Sequence, residues 1–195
     1  GAGSSELLGA LIVSLSGARV SIVDDRPHLG GCLRSSQTKI GEQPAIEWAD
    51  AVCAELDANP EVTRLQDATA WGYREDNLLM VTERSPTETH VFQRGWKARA
   101  GRVILATGAI ERNLVFANND LPGVMLASAV QTYYHEFGVI PGHQAMIFTN
   151  NSSAYALAHD LQAAGTMIAG IIDSRPSDAI GAEKDGLEIP LYAAS

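Results

Sequence analysis

The sequence predicts an α/β fold: a parallel sheet with an inserted β-meander, followed by a second, partial βαβ domain. Three observations carry this prediction. A Gly1-Ala2-Gly3 turn opens an apolar helical pattern. The strand-like run Arg19-Val20-Ser21-Ile22-Val23 ends in Asp24. A second strand–helix–strand pattern recurs over residues 145–173. Strands that alternate with helices of this length build parallel sheets. Residues 1–120 then form a first dinucleotide-binding domain that lacks its first strand, and residues 121–195 a partial second one of similar kind.

Each element has its own signal. Leu7, Leu8, Leu11 and Leu15 recur at helical spacing, and Gly17 supplies a stop. Residues 19–24 alternate like a short strand. A glycine-rich turn of this type normally follows a buried apolar strand, so the sequence reads as cut short at its front. After Gly30-Gly31 the chain is polar to about Gln43. Pro44 suits a first helical position, and Ile46, Ala49, Cys53 and Leu56 follow at helical spacing until Asn59-Pro60. Short strands are expected at 69–73, 78–82 and 90–92, as in a meander. Residues 102–107, Arg-Val-Ile-Leu-Ala-Thr, read as a compact buried strand that ends at Gly108. Residues 113–123 read as a linker. A helix is expected over 127–137, a turn at Pro141-Gly142, a strand over 145–149, a helix over 153–164 and a strand over 167–173. No element is assigned beyond Ser177.

Bulk properties exclude several classes. The chain has 195 residues and a net charge of −9 at pH 7, with 14 basic residues and no run of them. An acidic surface without a basic stripe repels phosphate backbones, so nucleic acid is not an expected partner. No apolar run approaches the ~20 residues of a membrane helix. The two cysteines, Cys32 and Cys53, form neither a metal set nor a CxxC pair, and fit a reducing cytoplasm. No metal is expected. His28, His90, His135, His143 and His159 show no metal spacing. No Ser/His/Asp constellation is present, and the catalytic residues are not identified.

The first candidate site is the opening turn. Gly1 permits the tight bend. Gly3 lets backbone N–H groups approach a pyrophosphate, and the helix starting near Ser4 points its positive end at the phosphates. Glu6 stands where the fingerprint wants a small residue, which would loosen helix–strand packing and repel phosphate. Asp24 ends the following strand and is placed to accept hydrogen bonds from an adenosine ribose. An acid there disfavours a 2′-phosphate, so NAD or FAD is expected rather than NADP. Asp25, Arg26 and Gly31 continue the pattern, and Thr107-Gly108 forms a second small-residue turn expected beside the first.

The run Ala106-Thr107-Gly108-Ala109-Ile110-Glu111-Arg112 continues through Phe116-Ala117-Asn118-Asn119-Asp120-Leu121-Pro122-Gly123-Val124-Met125-Leu126-Ala127. It resembles a segment of the alpha subunits of heterotetrameric sarcosine oxidases. Thr69-Ala70-Trp71-Gly72-Tyr73-Arg74 and Phe148-Thr149-Asn150-Asn151 are similar to further segments of the same family. Opine oxidases and hydrogen cyanide synthase share the Ala-Thr-Gly-Ala and Leu-Pro-Gly-Val elements. The resemblance implies a glutathione-reductase-like FAD/NAD(P)-binding region that holds NAD, with FAD as the alternative. It implies a hetero-oligomer with smaller subunits and a beta-type flavin subunit. In the assembled complex, sarcosine is oxidised at FAD on the beta subunit, and electrons pass to FMN. Tetrahydrofolate is implied through a carboxy-terminal module lying outside this sequence. The site residues carried over are Gly1, Gly3, Asp24, Gly31, Thr107 and Gly108. The alternatives are an FAD-binding subunit of an opine or cyanide-forming amine dehydrogenase, or a scaffold that binds no nucleotide.

The second βαβ pattern has Thr149, Asn151 and Ala154 at the glycine-type positions and Asp173 at its strand end. Side chains at Thr149 and Asn151 favour a structural domain over a second dinucleotide site.

Overall fold

The computed structural model describes residues 3–84 and 90–194. The chain divides into two compact units, Gly1–Ala109 and Ile110–Ser195.

In the first unit, helix α1 spans Ser4–Leu15. Its buried residues are Leu7, Ala10 and Ser14, while Leu8 is 48% and Leu15 71% exposed. The expected leucine stripe is therefore rotated. Positions 7, 10 and 14 share one face, whereas 8 and 15 lie about 100° further round. Ser14 tolerates this burial because its hydroxyl donates to the Leu11 carbonyl at 2.8 Å. Gly17 takes φ +80, a left-handed conformation that ends the helix.

Strand β1 (Val20–Val23) follows, then a 3₁₀ turn at Gly31–Ser35. A two-residue pairing of β2 (Lys39–Ile40) with β3 (Gln43–Pro44) occupies the stretch that reads only as polar in the sequence. Helix α2 (Ala45–Asp57) starts one residue later than expected, with Pro44 as its cap residue. Strand β4 (Val62–Leu65) pairs parallel with β1, Ile22 opposite Arg64 and Val23 opposite Leu65. The helices pack together through Leu7 and Leu56, both fully buried, with Ile22, Leu29 and Ala49 in the same cluster. Burying each of those leucines contributes about 1.5–3 kcal/mol.

The meander comprises β5 (Ala68–Arg74), β6 (Leu78–Arg84) and β7 (Gln93–Arg99), antiparallel throughout. The 3₁₀ turn between β5 and β6 holds Asp76 at φ 57 and Asn77 at φ 52, a conformation acidic and amide side chains tolerate best. The third strand lies later than the expected 90–92. Pairing decides this: β6 runs from Leu78 opposite Arg99 to Arg84 opposite Gln93. The partner strand is rich in charge, so its sequence hides it.

The buried strand expected over 102–107 does not form. This segment has no regular secondary structure, and Ile104 and Leu105 are 69% and 73% exposed. A strand exists only through a paired neighbour, and none of the described strands bonds to it.

In the second unit, helix α3 spans Ala127–Phe137 and stops at Gly138, which takes φ 65. Strand β8 (Gln144–Thr149), helix α4 (Ser153–Ala163) and strand β9 (Met167–Pro176) form the expected βαβ. A further strand, β10 (Leu191–Ala194), emerges from the unassigned tail and lies parallel to β9, giving the order β10-β9-β8. Gly170 on β9 makes the close approach possible. A Cβ there would stand 3.1 Å from the Tyr192 ring and 3.2 Å from the Pro190 carbonyl. Tyr155, Ala158, Leu161 and Ile171 centre the core beneath this sheet. Among the described residues, no helix is long and apolar enough to cross a membrane, and no group of three or more His, Cys, Asp or Glu is placed to hold a metal.

Candidate functional site

The start of α1 is the first candidate contact for a ligand. Gly1 lies outside the described residues. Gly3 is the N-cap residue, in an extended conformation, and has no side chain with which to bond the helix amides. A Cβ built on Gly3 would meet nothing within 4 Å, so the backbone faces open space. Ser4 is the first helical residue. A helix amino terminus of this kind presents N–H groups and a partial positive charge to an anion.

Asp24 directly follows β1 and is 2% exposed. The Arg26 N–H donates to its Oδ1 at 2.8 Å. Its own N–H donates to the Leu65 carbonyl at 3.0 Å, and its carbonyl accepts from the Ala68 N–H at 2.8 Å. The carboxylate is thus held by strand pairing that continues past the strand end. Asp25 and Arg26 lie on the exposed loop beyond. That loop is stitched to the β4–β5 turn: the Asp67 N–H donates to the Arg26 carbonyl at 3.1 Å, and Gln66 Nε2 donates to the Pro27 carbonyl at 2.7 Å.

The glycine pair closes the loop. Gly30 and Gly31 take φ 125 and φ 54. A Cβ on Gly30 would stand 3.1 Å from Arg34 Cγ. The Arg34 side chain donates from Nε to the Leu29 carbonyl and from Nη2 to Asp50 at 2.7 Å, fixing the loop onto α2. Gly31 therefore shapes the loop's exit into the 3₁₀ turn. Thr107 and Gly108 sit on the exposed segment described above, with Gly108 at φ 72. The strand expected to carry them there is not formed.

Glu6 is the residue whose chemistry the sequence hides. It lies in the first turn of α1. Burial pushes its carboxyl up to about 7, and the negative charge of Asp24 adds to the rise. From sequence only its bulk and charge at a small-residue position could be read. Among the described residues, Cys32 is exposed and Cys53 buried, both as free thiols, and burial raises the Cys53 thiol. The α1 amino terminus and the buried Asp24 carboxylate are the candidate contacts for a diphosphate and a hydroxylated sugar. Among the described residues there is no redox cysteine pair.

No family model matches the chain. It is 42% identical over its whole length to the alpha subunit of sarcosine oxidase from Corynebacterium sp. strain P-1, covering 21% of that protein. It is 40% identical over 92% of its length to the corresponding protein from Rhizobium meliloti strain 1021, covering 19% of it. The chain thus spans about one fifth of these relatives. The opine oxidase protein of Agrobacterium tumefaciens strain Ach5, the A component of that enzyme, is 28% identical over 93% of the chain. In structure, the chain superposes on L-proline dehydrogenase from P. horikoshii with a TM-score of 0.71 at 22% identity, covering 89% of this chain and 34% of that one. Thioredoxin reductase from Lactococcus lactis gives 0.62 at 15% identity, covering all of this chain and 62% of that one. The fold is the one shared with these two proteins, mixed α/β with parallel sheets.

Proposed function

We propose that this chain, homologous along its whole length to part of the sarcosine oxidase alpha subunit, is the dinucleotide-binding part of such a subunit. It supports the flavin-dependent oxidative demethylation of sarcosine. The observation that carries this reading is the pairing of the α1 amino terminus at Gly3 with a buried, strand-anchored Asp24. The α1 amides take the diphosphate and Asp24 takes the ribose hydroxyls. NAD is the favoured occupant, because a carboxylate at the ribose repels a 2′-phosphate; FAD is the alternative. Gly1, Ser4, Asp25, Arg26, Gly31, Thr107 and Gly108 complete the proposed lining. The amine oxidation itself is assigned to the flavins of the assembled complex, FAD and FMN. The partners are smaller subunits and a beta-type flavin subunit, with tetrahydrofolate received by another module.

Titration with NAD tests the site, comparing the protein with its Asp24→Ala variant after circular dichroism has shown equal folding. Loss of charge-assisted hydrogen bonds should weaken binding about tenfold to a hundredfold. Equal affinity in both would remove Asp24 from the site. The similarity to the opine oxidase component supports a second reading, a subunit carrying its own FAD. Purification of a yellow protein without its partners would favour that reading.

A further inference from the structure

The second unit repeats the landmarks of the first: a turn after β8, then α4, then an acid on β9. The turn differs in what its backbone does. Thr149 Oγ1 accepts from the Asn151 N–H at 3.1 Å and donates to the Asn151 carbonyl at 2.9 Å. Asn151 Oδ1 accepts from the Ser153 N–H at 3.0 Å and from the Ser153 hydroxyl at 2.6 Å. The amides of Asn151 and Ser153, at the mouth of α4, are therefore satisfied inside the chain. At the first turn the N-cap residue of α1 is Gly3, which has no side chain to do the same.

The acid is occupied as well. The Asp173 side chain is 0% exposed and ion-paired with Arg175 at 2.7 Å. Arg175 donates from Nη2 and Nε to its two oxygens, and its backbone N–H donates to Oδ1 at 2.9 Å. Tyr155 Oη donates to Oδ2 at 2.9 Å from the first turns of α4. Arg175 Nη1 reaches on to Ser152 Oγ at 3.1 Å, tying the acid back to the turn. A ribose hydroxyl would offer one neutral donor in exchange for a forked guanidinium and a phenol, and the forked charged pair is the stronger partner.

We propose that the second turn is closed to dinucleotides by its own side chains, with Tyr155, Asp173 and Arg175 locked together where a ribose would bind. The chain then takes its dinucleotide at the first turn alone. The count of one rests on the reading of the first turn given above; the closure of the second does not. The titration behaviour of the lock agrees with the geometry. Although burial opposes its ionisation, the hydrogen bonds from Arg175 hold the Asp173 carboxyl below its usual range. Burial, and then the bond to Asp173, pushes the Tyr155 phenol up to about 12.

Two measurements on the intact protein test this. Calorimetric titration with NAD and with NADPH should give one NAD site, lost in Asp24→Ala and kept in Tyr155→Phe. Tyrosinate absorbance against pH should show one of the five tyrosines ionising late, near 12, and that step should vanish in Tyr155→Phe. In Asp173→Asn, if it folds, the late step should move down toward the ordinary value of about 10. A second bound equivalent overturns the proposal, as does binding that survives Asp24→Ala and is lost in Arg175→Ala. So does a wild-type curve in which every tyrosine ionises near 10. No binding of either nucleotide to the wild type, with the late tyrosine present, would retire the first-turn reading and leave the closure standing.

Discussion

Glu6 shows how one side chain couples a candidate binding turn to pH. Its carboxyl is raised from 4.5 to about 7, so the folded chain holds that proton more tightly than the unfolded one. The stability it contributes is complete below pH 4.5 and is lost as pH rises to 7. Glu6→Gln removes this loss. The variant should match the wild type at pH 4 and exceed it by about 1 kcal/mol at pH 8, where solvent screening leaves only part of the full effect. Urea midpoints across that range check this, and a variant no more stable at pH 8 would show that the group is not strained. The same position illustrates the limit of motif reading. Sequence marks Glu6 as a departure from a fingerprint. Only its surroundings turn that departure into a titrating group.

At the scale of elements, burial decides which apolar residues matter. Leu7 and Leu8 are neighbours in one leucine-rich run, yet Leu7 is fully buried and Leu8 is 48% exposed. Leu7→Ala should cost about 2–5 kcal/mol of unfolding free energy and Leu8→Ala well under 1, as read from chemical denaturation. Similar losses in both would mean the helix packs through its other face. The helices α1, α3 and α4 were legible because their periodicity and stop signals are local. Strand β7 was misplaced and β10 was not foreseen, because a strand's extent is set by its partner. Residues 102–107 carry the composition of a strand without a paired neighbour among the described residues, so composition alone misled there.

Across the whole molecule, charge is the property that needs no structure. A net charge of −9 with a sequence pI near 4.9 keeps molecules apart at neutral pH. Light scattering should show a solubility minimum near pH 4.9 and none at pH 7; a minimum at neutral pH would point to attraction through apolar patches instead. The α/β class, the two βαβ patterns, the candidate acid at Asp24 and the family resemblance were all determined by the sequence, because each depends on residue type at short spacing. What the tertiary structure decided is the fate of those residues. It buried Asp24 beside the β4–β5 turn, and it drew Tyr155 onto Asp173. It also left the segment before Gly108 outside any sheet. Hydrogen bonds between groups distant in the chain, and the partners that strands require, exist only once the chain has folded.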